Sequence, residues 1–539
     1  MKKNNKISPE GTRDLLFEEC RIRRGIENKV TGLFLESGYN EIITPGMEFN
    51  DVFVLSESKM AEDSMYKLID YRGRSMVLRP DNTMPIARVV ATRLKNSPLP
   101  IRLFYTQNVF TKNQSMSGRN DEITQSGIEL IGQNDKPADL EVIRLAMETL
   151  DRCGVKDYKL EIGHAGIFKS LIGKLDINSD TREDIRFFIE SKNYTQLGEI
   201  LDSLGDSPDI DAVRKLPRLF GGEEVFSEAS ELFKDSETAG ILDYLKDMYA
   251  ELVGMGAGAK LAVDLGLVHR NDYYTDVIFR CFIGGSGDSV ISGGRYNRLL
   301  GEFGVDLPAV GFAVNIDILS SFSITGGQNS VNARKLRIAL TKGRLEKDTV
   351  GLFERMGLDT SVLKDKGRRL ILPVGESVEV ILAKAADVIT YVEHGVCDLG
   401  VVGKDTILEN GSSFYEILNL GFGKCRFALA GPTDKDFYSG YSAKRIATKY
   451  PKVARAFFES KSMDVEIIKI EGSVELAPLL GLADAIVDIV ETGSTLKENG
   501  LAVIEDIVPV SARLIANMAS LKLRKSEIEA LAKGMETNG

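Results

Sequence analysis

Apolar residues recur at helical spacing over Phe17–Ser37 and over Asp139–Asp151, and both stretches predict amphipathic helices. Between and after them lie apolar runs of strand length, "LAVDLGLV", "YYTDVIFRCFI" and "PAVGFAVNID", rich in β-branched and aromatic residues. From about Lys169 to Met255 the chain is leucine-rich with polar faces, which predicts a helical insertion. "SSFSITGGQNSVNAR", Ser320 to Arg334, is polar and glycine-containing and reads as a linker. Beyond it the pattern changes. Short apolar strands ("LRIAL", "DLGVVG", "FALAG", "RIATK", "VEIIKI", "AIVDIV") alternate with helices, the signature of an α/β fold with largely parallel sheets. The expected division is a first region over 1–320 with its insertion at about 169–255, a linker over 321–334, and a second region over 335–539.

At 539 residues the chain is too long for one core. A net charge of −11 argues against a general nucleic-acid binder, which needs clustered Lys and Arg. The 5 cysteines are widely spaced, with no C-x-x-C pair, and the 3 histidines leave imidazole metal centres and Ser-His-Asp machinery with little support. The opening "MKKNNKISPEGTRDLL" lacks an apolar segment after its basic residues, and no apolar run approaches membrane-spanning length. The expectation is a soluble cytoplasmic protein with neither nucleic acid nor membrane as partner.

One stretch raises a specific chemistry. "DAIVDIVETGSTLKENGL", Asp484 to Leu501, reads as an apolar strand, a Glu-Thr-Gly-Ser-Thr turn and a helix start. Backbone N–H groups, a glycine and hydroxyls at a strand's carboxyl end suit a phosphate; a Thr-capped helix is the plainer alternative. Basic residues recur in the same region: Lys342 and Arg344 at a strand-to-helix junction, Arg368 and Arg369 in "KGRRLILP", and Lys384 in "ILAKAADVITYVEHG". Each alone also fits a solvated face; together they suit a polyanion.

The motifs "KGRL", "DVITYVEHGVCDLGVVGKDTILE", "LGFGKCRFALAGP", "RIATKYPKVARAFF", "IEGSVELAPLLGLADAIVDIVETGSTLKENGL" and "VSARLIANMASLKLR" resemble, in order, the short form of ATP phosphoribosyltransferase, the enzyme that opens histidine biosynthesis. The resemblance covers Lys335 to the C-terminus. It implies two α/β lobes like those of periplasmic binding proteins, the second over about 429–503, with the tail returning to the first. It further implies that Glu491, Thr492, Gly493, Ser494 and Thr495 cradle the 5-phosphate of phosphoribosyl pyrophosphate (PRPP). Asp488 is then the candidate for the ribose hydroxyls and Asp484 the weaker one, while Lys342, Arg344, Arg368 and Lys384 face the polyanions as catalytic residues. Displacement of pyrophosphate from ribose C1 by adenine N1 of ATP needs alignment and charge neutralisation more than a base, and Mg2+ held through substrate phosphates would contribute. Where short-form enzymes read R-A-K-D-V, this chain has "KAADV": Lys384 keeps the charge but loses the bidentate fork, and Ala386 replaces a lysine.

"PEGTRDLLFEE", "GYNEIITPGMEF", "MVLRPDNTMPIARVVATR", "GRNDEITQSGIELIG", "NDYYTDVIF", "SGGRYNRLLGEFG" and "PAVGFAVNID" are similar, as an ordered set, to histidyl-tRNA synthetase. This implies an α+β class II synthetase fold, an antiparallel sheet flanked by helices, and a dimer through "GYNEIITP". The resemblance breaks at the adenylation residues. F-R-x-E becomes "FTKN", placing Thr111 and Asn113; R-G-L-D-Y-Y becomes "HRNDYY", placing His269; and G-x-E-R-L becomes "NIDIL", placing Ile318. Three arginines are lost together. Asp81, Thr83, Gln125, Glu129, Tyr273 and Tyr274 match the positions that surround histidine, either as a working pocket or as relics of the fold.

The combination resembles the regulatory subunit of ATP phosphoribosyltransferase, a histidine sensor, joined to its catalytic partner. The implied partners are ATP, PRPP and histidine as inhibitor. If separate subunits assemble in equal numbers as hetero-octamers, the joined chain is expected as a homotetramer. The competing readings are a histidyl-tRNA synthetase-like enzyme with an appended ligand-binding domain, and a non-catalytic binding protein.

Overall fold

Strands Ile101–Phe110 and Glu122–Ile131 pair antiparallel along their whole length at the heart of a nine-stranded sheet. This computed structural model describes residues 6–55, 62–113, 118–268, 273–324, 334–411, 413–440 and 442–539. The chain falls into two units, Met1–Ala333 and Arg334–Gly539.

In the first unit the sheet continues from Glu122–Ile131 through Ala309–Asn315, Ile291–Arg295, Val277–Ile283 and Tyr158–His164, each antiparallel to the last. The expectation of an antiparallel sheet needs one correction. Asn40–Glu41 joins Ile101–Phe110 in parallel at one side, and Leu261–Asp264 joins Tyr158–His164 in parallel at the other, so the sheet is mixed. Helices Glu18–Glu36 and Lys136–Arg152 cover one face; their buried positions, Val30, Leu33, Phe34, Val142, Ile143 and Leu150, share a cluster with Phe104, Ile128 and Phe312. The leucine-rich segment forms helices Ala165–Gly173, Ser179–Glu190, Tyr194–Ser203, Pro208–Lys215, Glu224–Leu232 and Ser236–Leu252. It is not a separate body: Ile185, Leu197 and Val213 pack in that same cluster, and Phe220–Gly221 adds the sheet's last strand. A small antiparallel sheet, Met47–Phe49, Ser75–Leu78 and Lys67–Ile69, lies beside it in sequence. Of the expected linker, 321–324 belong to helix Ile316–Ile324 and 325–333 lie outside the described residues.

The second unit holds two sheets, each the base of a lobe. The first sheet orders its strands Ile371–Val374, Val378–Ala383, Leu336–Thr341, Leu399–Gly403, Ala512–Ala516 and Tyr415–Asn419. The second orders Val465–Lys469, Lys444–Thr448, Ala485–Val490, Cys425–Pro432 and Leu501–Val510. Both are mixed rather than largely parallel: three neighbouring strands in each are parallel, and the remaining pairings are antiparallel. Strand alternation explains how the second sheet is buried on both faces. Phe427, Leu429, Ala485 and Val487 enter one cluster, while Ala428, Ala430, Ile486 and Val490 enter the opposite one. The chain leaves the first lobe before Cys425 and returns after Val510, and Ala512–Ala516 is then inserted between two first-lobe strands. The second sheet's strands thus reach beyond 429–503 at both ends. Arg334 makes a bidentate contact, 2.6 and 3.0 Å, to the buried Asp398, so the second unit is anchored from its first residue.

Candidate functional site

The phosphate-loop candidate follows strand Ala485–Val490. Gly493 stands at φ 77° ahead of the five-residue helix Ser494–Glu498, a left-handed conformation that glycine adopts without steric cost. Thr492 Oγ1 and Ser494 Oγ lie 3.0 Å apart, and Ser494 N points to Thr492 Oγ1 at 3.4 Å, so the hydroxyls gather on one turn. Glu491, Thr492, Ser494 and Thr495 line this turn at the unit's surface, all four exposed, with Gly493 half-buried between them. Asp488, on the same strand, is half-buried opposite Ala428, and burial pushes its carboxyl up to about 6, with Glu475 adding repulsion and Lys449 opposing it. Asp484 is at the strand's other end, where its carboxylate accepts from Arg445 N at 2.8 Å; it is not brought to the loop.

The basic residues come from the first lobe. Thr341 pairs with Ala383 in parallel, so the next residues, Lys342 and Lys384, leave the same carboxyl edge of adjacent strands. This edge is where ligands bind in α/β sheets. Arg368 belongs to the turn before Ile371–Val374, whose antiparallel register (Ile371 with Ile381, and Leu382 N to Leu370 O) brings it to that same end. The side chains of Lys342, Arg368 and Lys384 are exposed and have no carboxylate partner among the described residues. Arg369 instead donates to Asp365 O at 2.8 Å. Arg344 opens helix Arg344–Arg355, and its Nη1 meets Glu491 Oε2 at 2.7 Å. That ion pair joins the basic edge of the first lobe to the loop of the second.

Three further residues at this cleft lie inside motifs of the family resemblance, Asp405 in "DLGVVGKDTILE" and Lys449 and Tyr450 in "RIATKYPKVARAFF", but the sequence alone assigned them no role. Lys449 and Tyr450 follow strand Lys444–Thr448, which is parallel to Ala485–Val490; Asp405 lies in the first turn of helix Lys404–Asn410 in the first lobe. Burial first, and then the nearby charges of Asp405 and Asp488, raise the Tyr450 hydroxyl, which places this ring beside an acid of each lobe. Their sequence signal is membership of those motifs and a position just after an apolar strand.

The first unit holds a second constellation. Glu129 is 1 % exposed on strand Glu122–Ile131. Thr83 Oγ1 donates to its Oε1 at 2.8 Å, and the Tyr296 hydroxyl donates to its Oε2. Its cross-strand partner is Gly311, where any Cβ would strike the carboxylate, so the glycine makes the room. Burial raises Glu129 to about 8 despite those donors, and the neighbouring Asp81 adds to the rise. Asp81 is itself raised to about 6 by burial, against the backbone N–H donors of Met84 and Thr83. Tyr273 stacks tilted on Tyr274 with centroids 4.7 Å apart and meets Tyr296 edge-on at 5.8 Å. Asn82 Nδ2 reaches Gln125 Oε1 at 3.4 Å. Thr83, Glu129, Asp81, Tyr273 and Tyr274 thus lie near one another together with Tyr296, Tyr105 and Gly311, and Gln125 joins them through Asn82. Neither carboxylate has a basic partner among the described residues.

The replaced adenylation positions have taken structural work. Asn113 caps its own turn, donating from Nδ2 to Asn120 O at 2.9 Å and from N to Asp121 Oδ1 at 2.9 Å; Thr111 N donates to Asp121 O at 2.8 Å. Asn315, in the position of the family's glycine, caps helix Ile316–Ile324 by accepting from Asp317 N and Ile318 N at 3.0 and 3.1 Å. His269 lies outside the described residues.

Comparison with known proteins agrees with this division. The histidyl-tRNA synthetase family pattern matches residues 11–319, and the ATP phosphoribosyltransferase pattern matches residues 384–537. An ATP phosphoribosyltransferase regulatory subunit of Clostridium kluyveri is 40% identical over 341 residues, 62% of this chain and 87% of that protein. The ATP phosphoribosyltransferase of the same organism is 64% identical over 199 residues, 37% of this chain and 91% of that protein. A crystal structure of an ATP phosphoribosyltransferase regulatory subunit/histidyl-tRNA synthetase from Bacillus halodurans superposes with a TM-score of 0.55 at 32% identity, covering 70% of this chain and 93% of that one. With a synthetase-like regulatory region before a short-form catalytic region, the chain belongs to the ATP phosphoribosyltransferases of histidine biosynthesis.

Proposed function

We propose that the second unit joins N1 of the ATP adenine to C1 of PRPP with release of pyrophosphate, and that the first unit binds histidine and thereby inhibits the reaction. The transferase part of this reading is carried by the convergence of Lys342, Arg368 and Lys384, three cations without a carboxylate partner among the described residues, with the loop Glu491 to Thr495 through the Arg344 contact to Glu491. The loop's N–H groups and the hydroxyls of Thr492, Ser494 and Thr495 hold the 5-phosphate, Asp488 takes the ribose hydroxyls, and the cations neutralise charge growing on the departing pyrophosphate.

Among the described residues no group of three or more His, Cys, Asp or Glu is placed to hold a metal ion. The donor set present fits Mg2+ held through the substrates' own phosphate oxygens, with Asp488 in reach of the ribose; the ion would add neutralisation of the diphosphate. This chain's residues align the two polyanions and keep C1 in line with N1.

For the regulatory reading, the supporting observation is an acidic pocket that lacks a cation among the described residues. Asp81 and Glu129, ringed by Tyr273, Tyr274 and Tyr296, suit a ligand that brings a positive charge and a flat polar ring. Histidine has both, and as the end product of the pathway it is the natural inhibitor. Ile43, Met47, Ile69 and Tyr71 are 79 %, 51 %, 79 % and 87 % exposed, an apolar surface consistent with pairing of copies and with a homotetramer. No helix among the described residues is long and apolar enough to cross a membrane.

The test is a single-turnover assay of the full chain with ATP and PRPP, with and without histidine. Formation of phosphoribosyl-ATP that histidine suppresses is the expected result. Histidine-dependent exchange of pyrophosphate into ATP without PRPP would instead favour the synthetase-like reading.

A further inference from the structure

A linker that only tethers needs no more than a surface contact at its end, and exposed ion pairs contribute little. Arg334, the first residue of the second unit, instead reaches Asp398, a residue that is 0 % exposed. Asp398 does not depend on Arg334 for its partners. It accepts from Arg337 N at 2.8 Å and from Ser520 Oγ at 2.7 Å, and Arg524 Nη1 approaches its Oδ2 at 3.4 Å. Arg524 is held back by a second carboxylate: its Nε and Nη2 take both oxygens of Glu527 at 2.9 and 2.6 Å. Two guanidinium groups thus face one buried acid, Arg334 through its fork and Arg524 through a single long contact.

This arrangement has a second solution built into it. Withdrawal of Arg334 leaves the acid with a cation already beside it, so no buried charge is stranded. It also favours turning the Arg524 fork from Glu527 to Asp398, because a bidentate pair is stronger than a single contact. Both ends lead to the cleft. Asp398 donates its N–H to Arg337 O at 2.9 Å just before strand Leu399–Gly403, at the end of the sheet opposite to the edge that Lys342 and Lys384 leave. Glu527 lies in the first turn of helix Lys525–Asn538, which buries Ile528 and Met535 and packs on helix Arg344–Arg355. There Arg355 Nε donates to Asn538 O at 2.7 Å, and Gly534 closes on Met356. The covered helix begins with Arg344, the residue that meets Glu491 of the loop.

We propose that Asp398 is a switch for which Arg334 and Arg524 compete. With Arg334 engaged, helix Lys525–Asn538 and Arg344 keep the active arrangement; histidine bound by the first unit slows the transferase by favouring the state in which Arg334 is released and Arg524 takes its place. The proposal rests on the regulatory reading of the first unit. Histidine then has a higher affinity for the released state, and by linkage any other change that releases Arg334 must strengthen histidine binding. A residue that merely anchors the chain carries no such consequence.

The experiment uses the full chain and measures phosphoribosyl-ATP formation together with histidine binding by calorimetry. A wild-type chain that turns over but is not slowed by histidine overturns the regulatory reading, and the switch with it. With inhibition established in wild type, Arg334→Ala should lower kcat to within about threefold of the histidine-saturated wild-type rate and lose most of its further response to histidine. It should also bind histidine at least about fivefold more tightly than wild type. A variant that keeps the wild-type rate and suppression, or one that loses rate with histidine affinity unchanged, overturns the proposal alone. Circular dichroism checks the fold. Glu527→Gln, at a side chain 45 % exposed, loosens the competing hold on Arg524 and should tighten histidine binding in the same direction. Should Arg334→Ala fail to fold, an unchanged histidine affinity in Glu527→Gln overturns the proposal.

Discussion

Lys192 and Asp264 form a buried ion pair, Nζ to Oδ2 3.0 Å with both side chains 2 % exposed, that ties the helical insertion to the edge of the large sheet. Lys192 stands in the turn between helices Ser179–Glu190 and Tyr194–Ser203, donates also to Pro217 O at 2.8 Å, and lies over the Phe220 ring at 4.6 Å. Asp264 also accepts from Gly266 N at 3.0 Å. Removing one partner strands the other charge in the interior. Lys192→Met is expected to cost about 3–5 kcal/mol, and Lys192→Met with Asp264→Asn distinctly less than the single change. Urea denaturation of the three proteins measures this; a double variant no more stable than Lys192→Met would refute it.

His164 gives the first unit an acid-sensitive point. Its Nδ1 accepts from Gly166 N at 3.0 Å at the start of helix Ala165–Gly173, and burial lowers its pKa to about 4, Asp276 opposing only in part. The folded value lies below the unfolded value of about 6.5. The native state therefore binds fewer protons, and the contribution is complete above pH 6.5 and lost as pH falls towards 4. Between pH 7 and pH 5 about 2 kcal/mol should disappear from wild type. His164→Asn, which retains a capping oxygen, should show a shallower decline; equal slopes would refute the assignment.

In the proposed histidine pocket, Glu129 should make binding depend on pH in the same sense as an ordinary carboxylate but in a higher range. Raised to about 8, it must release a proton to receive a cation. Affinity should therefore climb from pH 7 to about 8 and level off above. Calorimetry in buffers of different ionisation enthalpy should register the released proton. Glu129→Gln should bind histidine at least about tenfold more weakly, with the proton release gone. Tight, pH-sensitive binding by that variant would place the sensor elsewhere.

The proposed phosphate loop and the basic edge should separate kinetically. Thr495→Val removes one hydroxyl donor and should raise the KM for PRPP by about tenfold, well beyond any change for ATP. Arg368→Ala should lower kcat with the thermal midpoint unchanged, because the side chain is exposed and touches no carboxylate among the described residues. Equal effects of Thr495→Val on both substrates would remove it from the phosphate site.

Apolar runs with an unbroken core pattern were the legible part of the fold. "LRIAL", "DLGVVG", "FALAG", "RIATK", "VEIIKI" and "AIVDIV" all coincide with strands, because each lies within a sheet. Val378–Ala383, Tyr415–Asn419 and Leu501–Val510 were not among the expected strands, although "VEVILA" carries the same apolar pattern. Leu501–Val510 lies at the margin of the second sheet with most of its residues partly or wholly exposed, and Glu505 and Asp506 interrupt its apolar stretches, so it shows no single core pattern. The sites divide the same way. Glu129 and Thr83 were legible by family resemblance, and the glycine opposite Glu129 was not, since register between distant strands is invisible in one sequence. Asp405 and Tyr450 meet only through the folding of two lobes.

The return of Ala512–Ala516 into the first sheet, between Leu399–Gly403 and Tyr415–Asn419, has a bearing on how the chain is made. During synthesis the strands of the inner lobe, through Val510, emerge before the strand that completes the outer one. The lobe begun first is thus finished last, and Tyr415–Asn419 waits without its sheet neighbour while about a hundred residues are added, several seconds or more at ribosomal rates. A chain stopped short of Ala512 would carry every strand of the inner lobe yet leave the outer sheet split, with two open edges and an invitation to pair with other unfinished chains.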